Sequence, residues 1–433
     1  MLQQAEKLEK SATKASRVRF GILALISVGT VINYLDRAVL GVAAPALTKE
    51  LGLSAAVMGV VFSAFSWTYA AAQIPGGILL DRFGTRIIYF LSVSLWSAFT
   101  LLQGFVSGVI SLMTCRLGLG VAEAPCFPAN SRVLSSWFPR HERARANSVY
   151  AVGQYFGLAF MSPLLFWIVS QFGWRSLFIL AGAAGLLFSL VWVKTYVEPH
   201  ESRGVNGLEL EYIKAGGGLA QQKAGTPFSW RNMGQLMRKR QVIGAAIGQF
   251  AGNCTLVFFL TWFPSYLATE RHMEWLKVGF FAVMPYMAAS AGVLLGGWLS
   301  DRLLKRTGNA NLGRKLPIVG GLLLASTIVG ANYVDSNVAV IAIMSVAFFG
   351  QGAVNLGWTL ITDVAPKQLV GLTGGLFNLC TNLAGIVTPI VIGIIVDRTG
   401  SFVGALAFIS ALALLGVVAY IFILGDVRRV EME

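Results

Sequence analysis

Charged residues are scarce in this sequence. Asp, Glu, Lys and Arg make up only 12% of the 433 residues, whereas hydrophobic residues make up 55%. A soluble domain is about 25% charged, so this composition excludes a soluble globular protein and indicates a protein that crosses a membrane many times. Lys and Arg outnumber Asp and Glu by 34 to 20, but the basic residues fall between the apolar runs, as the positive-inside rule requires. We therefore expect the apolar runs to contact a lipid bilayer, and we expect no nucleic acid as a partner.

Residues that build metal sites, disulfides and nucleophilic centres are also few. The four cysteines lie in apolar runs without paired spacing, which favours neither a disulfide nor a metal site, and the three histidines lie in the connections. These residues are Cys115, Cys126, Cys254, Cys380, His141, His200 and His272. No phosphate-binding loop of the G-x-x-x-x-G-K-[ST] type is present. We therefore predict no enzyme activity, no cofactor and no metal, and expect energy to come from an ion gradient.

The long hydrophobic runs predict the fold class. An apolar stretch of about 20 residues is long enough to cross a bilayer as a helix, and twelve such runs can be counted. They cover 20–45, 56–80, 86–106, 109–131, 146–170, 175–196, 241–268, 275–300, 316–333, 337–362, 371–396 and 402–425. The sequence therefore predicts an all-α membrane protein with 12 transmembrane helices in two six-helix bundles.

A polar stretch between the sixth and seventh runs divides the chain. We predict an N-terminal tail, two bundles joined by a linker, and a C-terminal tail; the boundaries are 1–19, 20–197, 198–240, 241–425 and 426–433. Within the linker, Asn206 followed by Glu209 has the pattern of a helix N-cap and capping box. A second segment, from Trp230 to Arg240, has helical spacing and is interpreted either as a helix on the membrane surface or as a solvated linker helix.

The distribution of Lys and Arg predicts the orientation. With both termini in the cytoplasm, 26 of these residues lie in cytoplasmic segments and five in the opposite connections. Short cytoplasmic loops are enriched in Lys and Arg. We therefore expect a multi-pass membrane protein with both termini in the cytoplasm.

An internal repeat relates the two bundles. The run Gly77-Ile-Leu-Leu-Asp81-Arg82 follows the second span, and Gly297-Trp-Leu-Ser-Asp301-Arg302 follows the eighth. Two homologous halves with a substrate site between them are a common plan of secondary transporters. The repeat therefore makes the two bundles pseudo-symmetric and indicates transport.

Four ionisable residues lie inside the apolar runs. Asp36 and Arg37 are adjacent in the first run, and Arg116 and Glu123 are seven residues apart in the fourth, so both lie on one face of a helix. A charge at the bilayer centre costs at least ~2.5 kcal/mol, so such residues usually face a cavity or a partner. A guanidinium binds carboxylates in a bidentate manner, and a buried acid can take up a proton. These four residues predict a proton-coupled anion site; a purely structural ion pair or helix packing is the alternative.

Several stretches resemble the major facilitator superfamily and, within it, the anion:cation symporter family. The loop Gly77 to Arg86, the two six-span halves and the central linker resemble the superfamily. The finer likeness rests on Asn33-Tyr-Leu-Asp-Arg37, 62–69, 73–77, Arg116 to Pro125, 136–139 with Glu142-Arg143, and Gly371 to Asn378. The chain resembles the bacterial proton symporters of that family for galactonate and glucarate. It departs from the galactonate type at Asn355 and Gly357, where those members carry hydroxyl side chains, so the resemblance indicates the substrate class and not the particular sugar acid.

The resemblance implies a role for each matching residue. Asp36 and Glu123 correspond to proton-coupling sites, Arg37 to a ligand of the substrate carboxylate, and Arg116 to the partner of Glu123. Substrate-binding positions correspond to Tyr34, Arg37, Tyr69, Arg116, Gln154, Trp358 and Asn378, with Asn355 and Asn382 as further candidates. Conformational gating positions correspond to Gly77, Asp81, Arg82, Gly84, Arg86, Asp301 and Arg302.

The function implied is proton-coupled import of a sugar-acid anion, an aldonate or aldarate, by a monomeric carrier that alternates its access. A sodium-coupled or uncoupled carrier of another organic anion, such as a hexuronate, tartrate or phthalate-like compound, is the main alternative. An exporter of cationic drugs would need buried acids without the two buried arginines. A membrane sensor would need an added signalling domain, for which the linker is too short.

Overall fold

The computed structural model describes residues 15–218, 230–366 and 369–431, and most of these residues are helical. The helices of the N-terminal half and the linker are α1 Val18–Leu51, α2 Ala55–Phe83, α3 Thr85–Gln103, α4 Val109–Glu123, α5 Cys126–Trp137, α6 Arg140–Thr195, α7 Gly207–Ala215 and α8 Trp230–Leu236. The helices of the C-terminal half are α9 Arg240–Thr261, α10 Trp275–Thr307, α11 Leu316–Ser326, α12 Asn337–Val354, α13 Gly357–Val364, α14 Val370–Asn382, α15 Ala384–Thr399 and α16 Val403–Val418.

Helix α6 accounts for two of the predicted spans. Eleven helical segments of the described chain are long and apolar enough to cross a membrane, and one of them, His141–Thr195, lies within α6. At 1.5 Å per residue, a straight helix of 56 residues would be about 84 Å long, more than twice the bilayer core. Gly173 breaks α6 with a left-handed φ of 78°, a conformation that glycine adopts without strain. All twelve predicted runs therefore coincide with helical segments, which confirms the fold class.

Three of the spans are interrupted near their middle, and each break lies beside a predicted site residue. The fourth span breaks after Glu123, where Pro125 cannot donate a backbone hydrogen bond. The tenth span breaks at Asn355 and the eleventh after Asn382. The backbone at these breaks keeps right-handed helical dihedral angles, as at Ala124, Asn355 and Leu383, so each break is a local loss of helical hydrogen bonding within one span.

The two halves pack tightly at the end of the helices that is remote from both chain termini. There α1 meets α9 so closely that a Cβ on Gly41 would lie 2.3 Å from the carbonyl oxygen of Leu260, and one on Gly59 of α2 would lie 2.4 Å from that of Pro389. Phe62 also packs edge-on against Trp262 at 5.2 Å between ring centroids. The absence of a side chain at these glycines lets the helices touch along their backbones.

At the end that carries the termini, the halves have separate cores. The largest hydrophobic cluster contains residues of both halves and includes the remote end of α1 and α2. A second cluster, which includes Trp96 and Trp192, belongs to the N-terminal half and its linker helix, and a third, which includes Phe377 and Tyr420, belongs to the C-terminal half. The gap between the halves is therefore closed at the remote end and widens toward the termini.

The linker helix α7 is docked on the N-terminal half. Asn206 caps it as predicted, since its Oδ1 accepts from the backbone N of Glu209 at 3.0 Å. The capping-box prediction was wrong for Glu209, because its buried carboxylate caps α1 instead. That carboxylate accepts from the backbone N of Val18 at 3.1 Å and from the guanidinium of Arg19 at 2.9 Å. The segment 219–229 lies outside the described residues; α8 follows it, and whether α8 lies on a membrane surface stays a prediction.

Candidate functional site

The centre of the site is an ion pair between α1 and α4. Both the Nε and a terminal nitrogen of Arg37 donate to Oε1 of Glu123, the Nε at 2.7 Å. Glu123 is completely buried, whereas 17% of the Arg37 side chain is exposed. The resemblance implied Arg116 as the partner of Glu123; the structure instead gives this carboxylate to Arg37. The guanidinium of Arg37, which is partly exposed to the gap, is therefore paired with the fully buried carboxylate of Glu123.

Aromatic rings surround the Arg37 guanidinium. Its carbon lies 4.9 Å from the ring centroids of Phe65 and Tyr69, and 5.4 Å from that of Tyr34. A cation over such a ring gains about 0.5–2 kcal/mol, more when both are desolvated. The predicted residues Tyr34 and Tyr69 are thus brought to Arg37. Their hydroxyl groups add hydrogen-bonding capacity next to the cation.

Asp36 and Arg116 form the second charged pair of the site without a direct hydrogen bond. Asp36 is 2% exposed and neither of its carboxylate oxygens has a hydrogen-bond partner in the described chain. Arg116 is equally buried, and its Nε and one terminal nitrogen lack partners as well. The two groups are close enough to interact electrostatically with each other and with Glu123. Buried charges of this kind are costly unless they are complemented, so this cluster can take up protons or an anion.

Asn33 is a site residue that the sequence reasoning missed. It lies one helical turn before Arg37, is completely buried, and neither atom of its side-chain amide has a partner in the described chain. It is close enough to interact with Glu123. The sequence signal was the spacing of an amide four residues before a buried arginine, which places both on one helix face.

The C-terminal half faces this cluster with amides and an indole. Asn382 donates from Nδ2 to Oδ1 of Asn378 at 2.9 Å, which leaves the Asn378 amide nitrogen available as a donor. Trp358 is 39% exposed and packs edge-on against Phe377. Asn355 lies at the helix break before it and is partly buried. These groups can bind hydroxyls and stack on a sugar face, but none of them carries a charge.

Two observations place the amides near the ion pair. Gly385, one turn after Asn382, approaches α2 so closely that its Cβ would lie 2.2 Å from Oγ of Ser66. Ser66 precedes Tyr69 by one turn of α2, so Tyr69 and the amide pair lie on the two sides of the same gap. Gln154 is almost fully buried on α6. The predicted substrate residues thus come from both halves.

The predicted gating residues lie at the end that carries the termini, and each one with a polar contact is bonded within its own half. Asp81, whose side chain is 87% exposed, pairs with Arg132 at 3.0 Å, and Arg86 donates to the carbonyl oxygen of Val193. Asp301 lies 3.6 Å from Arg314. The guanidinium groups of Arg82 and Arg302 lie over the rings of Phe83 and Trp298, respectively. Of the two glycines, Gly84 has a φ of 79°, and nothing lies within 4 Å of a Cβ on Gly77. Their role in gating stays a prediction. Arg132, which pairs with Asp81, joins the candidate gating residues although the sequence did not predict it.

The chain is similar to known membrane transporters over almost its full length. It is 45% identical to "Probable galactarate/D-glucarate transporter GudP" of Escherichia coli (strain K12), covering 98% of this chain and 97% of that protein. It is 44% identical to "D-galactonate transporter" of Escherichia coli O6:H1, covering 97% of this chain and 99% of that protein. Among solved structures, a D-xylose-proton symporter superposes with a TM-score of 0.71 at 15% identity, covering 93% of this chain and 97% of that one, which shows a common fold. The model of the Major Facilitator Superfamily matches residues 26–389, and the chain belongs to this superfamily.

Proposed function

We propose that this protein is a proton-coupled symporter that imports a sugar-acid anion, an aldonate or aldarate, across a bacterial inner membrane. The observation that carries this proposal is the cluster of two carboxyl and two guanidinium groups beside the gap between the halves. Relatives at 43–45% identity whose names state galactarate, D-glucarate or D-galactonate transport support the substrate class. A membrane enzyme would need a different constellation, so transport is the activity that fits the site.

The Arg37–Glu123 pair explains how a proton and an anion can be coupled. In this arrangement the Glu123 carboxylate is paired with the Arg37 guanidinium, the cation that a substrate carboxylate would bind. Protonation of Glu123 removes its charge and releases the guanidinium, which can then bind the substrate carboxylate in a bidentate manner. Deprotonation restores the internal pair and expels the substrate. Arg116, whose Nε and one terminal nitrogen lack partners in the described chain, and Asp36 add a second cation and a second proton site to the same cluster.

Neutral hydrogen-bonding groups of both halves supply recognition of the polyol chain. Hydroxyl groups along an aldonate or aldarate match the amides of Asn378 and Asn382, the Gln154 amide and the Tyr34 and Tyr69 hydroxyls. Trp358 offers a flat apolar surface on which C–H groups of the chain can pack. Because the charges of the site all lie in the N-terminal half and the C-terminal half offers only neutral groups, the anion binds with its carboxylate toward α1 and its polyol chain toward α13 and α14.

The observed closure corresponds to one state of the proposed cycle. With both termini in the cytoplasm, as the Lys and Arg distribution predicts, the closed remote end faces the periplasm and the gap opens inward. The internal Arg37–Glu123 pair is then the state after the substrate and the proton have left. Rocking of the two halves about the central site would open the periplasmic side. A single chain contains all parts of this site, which is consistent with a monomeric carrier.

The test is uptake by proteoliposomes that contain the purified protein. Labelled galactarate, D-glucarate and D-galactonate are each supplied outside, with an inward proton gradient, an inward sodium gradient or neither. We expect at least one of them to accumulate only when the proton gradient is imposed. Accumulation driven by sodium alone would favour the sodium-coupled carrier, and equilibration without accumulation under every gradient would favour the uncoupled carrier.

Asp36→Asn supplies the second arm of this test. The variant keeps the shape of the side chain but cannot release a proton, so its uptake should no longer follow the imposed gradient. Exchange of labelled for unlabelled substrate across the membrane needs no net proton movement and serves as the control for folding and binding. Asp36→Asn uptake that tracks the gradient as the wild type does would contradict the role of Asp36.

A further inference from the structure

Helix α3 supports both carboxyl groups of the site from behind. Oγ of Ser92 donates to the backbone carbonyl oxygen of Ala122, the residue before Glu123. Trp96 lies one turn further along α3, so its side chain projects from the same face. Trp96 is completely buried. Helix α3 runs beside α1, since a Cβ on Gly29 would lie 2.4 Å from the hydroxyl oxygen of Tyr89, and Asp36 and Trp96 each lie seven residues, two turns, further along the same faces. One face of α3 therefore contacts the segment that carries Glu123 and places Trp96 at the level of Asp36.

Trp96 and Asp36 have complementary hydrogen-bonding groups that nothing else in the described chain satisfies. Nε1 of Trp96 has no hydrogen-bond partner there, and neither do Oδ1 and Oδ2 of Asp36. An indole N–H is a donor only, and an ionised carboxylate is an acceptor only. Buried polar groups are nearly always paired in folded proteins, and the indole N–H is the donor that this carboxylate lacks.

The surroundings of Trp96 fix its position independently of Asp36. Its ring packs edge-on against Tyr89 at 6.5 Å between centroids, and Tyr89 in turn packs on Trp192 at 4.0 Å. All three rings are completely buried in the core cluster of the N-terminal half. A substrate in the gap cannot reach or displace such a donor, whereas Arg116 is free to change partners.

We propose that Trp96 is a positioning residue that holds the ionised Asp36 carboxylate through its indole N–H and so promotes release of the coupled proton. The donor stabilises the charged carboxylate and offers nothing to the O–H of the protonated form. This inference rests on the proposed proton coupling and names a residue through which that coupling is tuned. The charged groups that act on Asp36 are Glu123 and Arg116. The titratable groups on α1 and on the elements packed on it also include Tyr34, Arg37, Tyr69, Tyr89, Cys126, Tyr150 and Tyr155.

The test compares Trp96→Phe with Trp137→Phe in proteoliposomes. Trp137 is equally buried and its Nε1 also lacks a partner in the described chain, but it lies beside Tyr196 at the end of α6, away from Asp36 and Glu123. Uptake driven by a fixed proton gradient is measured against external pH. Trp96→Phe removes the donor and disfavours the ionised carboxylate, so the alkaline limb of the profile should move up by about one pH unit. Trp137→Phe should leave that limb in place.

A double variant separates a positioning role from a merely structural one. Exchange of labelled for unlabelled substrate, which survives in Asp36→Asn, is measured against pH with and without Trp96→Phe. In the Asp36→Asn background, Trp96→Phe should produce no further change of this exchange profile, because the group that it acts on no longer titrates. Equal profiles for Trp96→Phe and Trp137→Phe, or the same shift with and without the Asp36 carboxyl, would overturn the inference. If the wild-type uptake ignores the proton gradient, the proposed function fails first, and that result is distinguishable from both.

A second measurement does not depend on the folding of Trp96→Phe. The full chain has eleven tryptophans, whose indole N–H groups can be observed by NMR after ¹⁵N labelling in nanodiscs. We expect one indole resonance to titrate with pH in the wild type and to become independent of pH in Asp36→Asn. Indole resonances that respond to pH identically in both proteins would refute the contact.

Discussion

The N-terminal and C-terminal halves share one helical plan but differ in the chemistry of their interiors. In the described chain, only Thr255, Gln351 and Thr388 of the C-terminal half have buried side-chain polar atoms without a hydrogen-bond partner. All other such atoms belong to the N-terminal half, among them those of Asp36 and Arg116. A half whose polar groups are satisfied can serve as a rigid recognition surface. In a half with unpartnered buried polar groups, side chains can still gain or lose protons and exchange partners. Energy coupling requires changes of this kind.

The comparison therefore assigns different consequences to changes in each half. Substitutions in the charged cluster of the N-terminal half should alter the coupling to protons. Substitutions among the amides of the C-terminal half should alter affinity and leave the coupling intact. The glycine contacts between the halves should affect the conformational equilibrium and neither of the other two properties directly.

Arg37→Ala should have the largest effect. It removes the cation for the substrate carboxylate and leaves Glu123 buried without its partner. Truncating one member of a buried charge pair costs about 2–5 kcal/mol, so we expect substrate affinity to fall by about 30-fold or more. Isothermal titration of the purified protein measures this loss. Arg37→Lys keeps the charge and serves as the control for geometry; wild-type affinity in Arg37→Ala would remove this residue from the site.

Gly59→Ala should have the next largest effect. The added Cβ would lie 2.4 Å from the carbonyl oxygen of Pro389, so the remote end cannot close without a shift of backbone. We expect the equilibrium to move away from the observed closure and transport to fall by about tenfold. Pairs of spin labels on the two halves at the remote end measure the separation. Gly320→Ala is the matched control, because nothing lies within 4 Å of its Cβ; identical distances in both variants would contradict the gate.

Asn378→Ala should weaken binding to a smaller extent. A hydrogen bond to a neutral group contributes about 0.5–1.5 kcal/mol, which corresponds to a loss of about two- to tenfold in affinity. Because no titratable group is removed, the pH dependence of uptake should remain that of the wild type. Kinetics of uptake at several pH values check both statements. A shifted pH profile with unchanged affinity would break the proposed division between the halves.

Glu209→Gln should have the smallest effect on transport. The carboxylate caps α1 and pairs with Arg19 outside the substrate site. The amide keeps one acceptor but loses the charge, so we expect a lower melting temperature and a loss of about 1–2 kcal/mol in the free energy of unfolding. Thermal unfolding in detergent measures it, and Glu211→Gln, an exposed residue of the same helix, is the control. A changed proton coupling would contradict this purely structural role.

Hydropathy was sufficient to predict the spans, because a helix that crosses a bilayer must be apolar over about 20 residues. The charged cluster was also predictable, since Asp36 and Arg116 stand out against an apolar background. The pairing of Glu123 with Arg37 was not, because it depends on how α1 and α4 are rotated against each other. The spacing along α4 makes Arg116 the expected partner of Glu123. That expectation holds only if no other helix places a cation closer to Glu123, and α1 does so with Arg37.

Other features were hidden for related reasons. Trp96 is one of many aromatic residues in an apolar run, and only its position behind Asp36 distinguishes it. The local pattern at Asn206 predicted the helix cap correctly, but the carboxylate of Glu209 bonds to a helix about 190 residues away. Local patterns reveal local caps, whereas contacts between distant segments need the folded arrangement.

The central claim is that the carboxyl groups of the N-terminal half carry the coupled protons. The most direct measurement records luminal pH with an enclosed dye while the anion enters proteoliposomes without an imposed proton gradient. We predict that substrate entry acidifies the lumen in the wild type, and that Asp36→Asn/Glu123→Gln exchanges labelled substrate without acidification. Acidification by the double variant, in the same ratio to transported anion as in the wild type, would contradict the account.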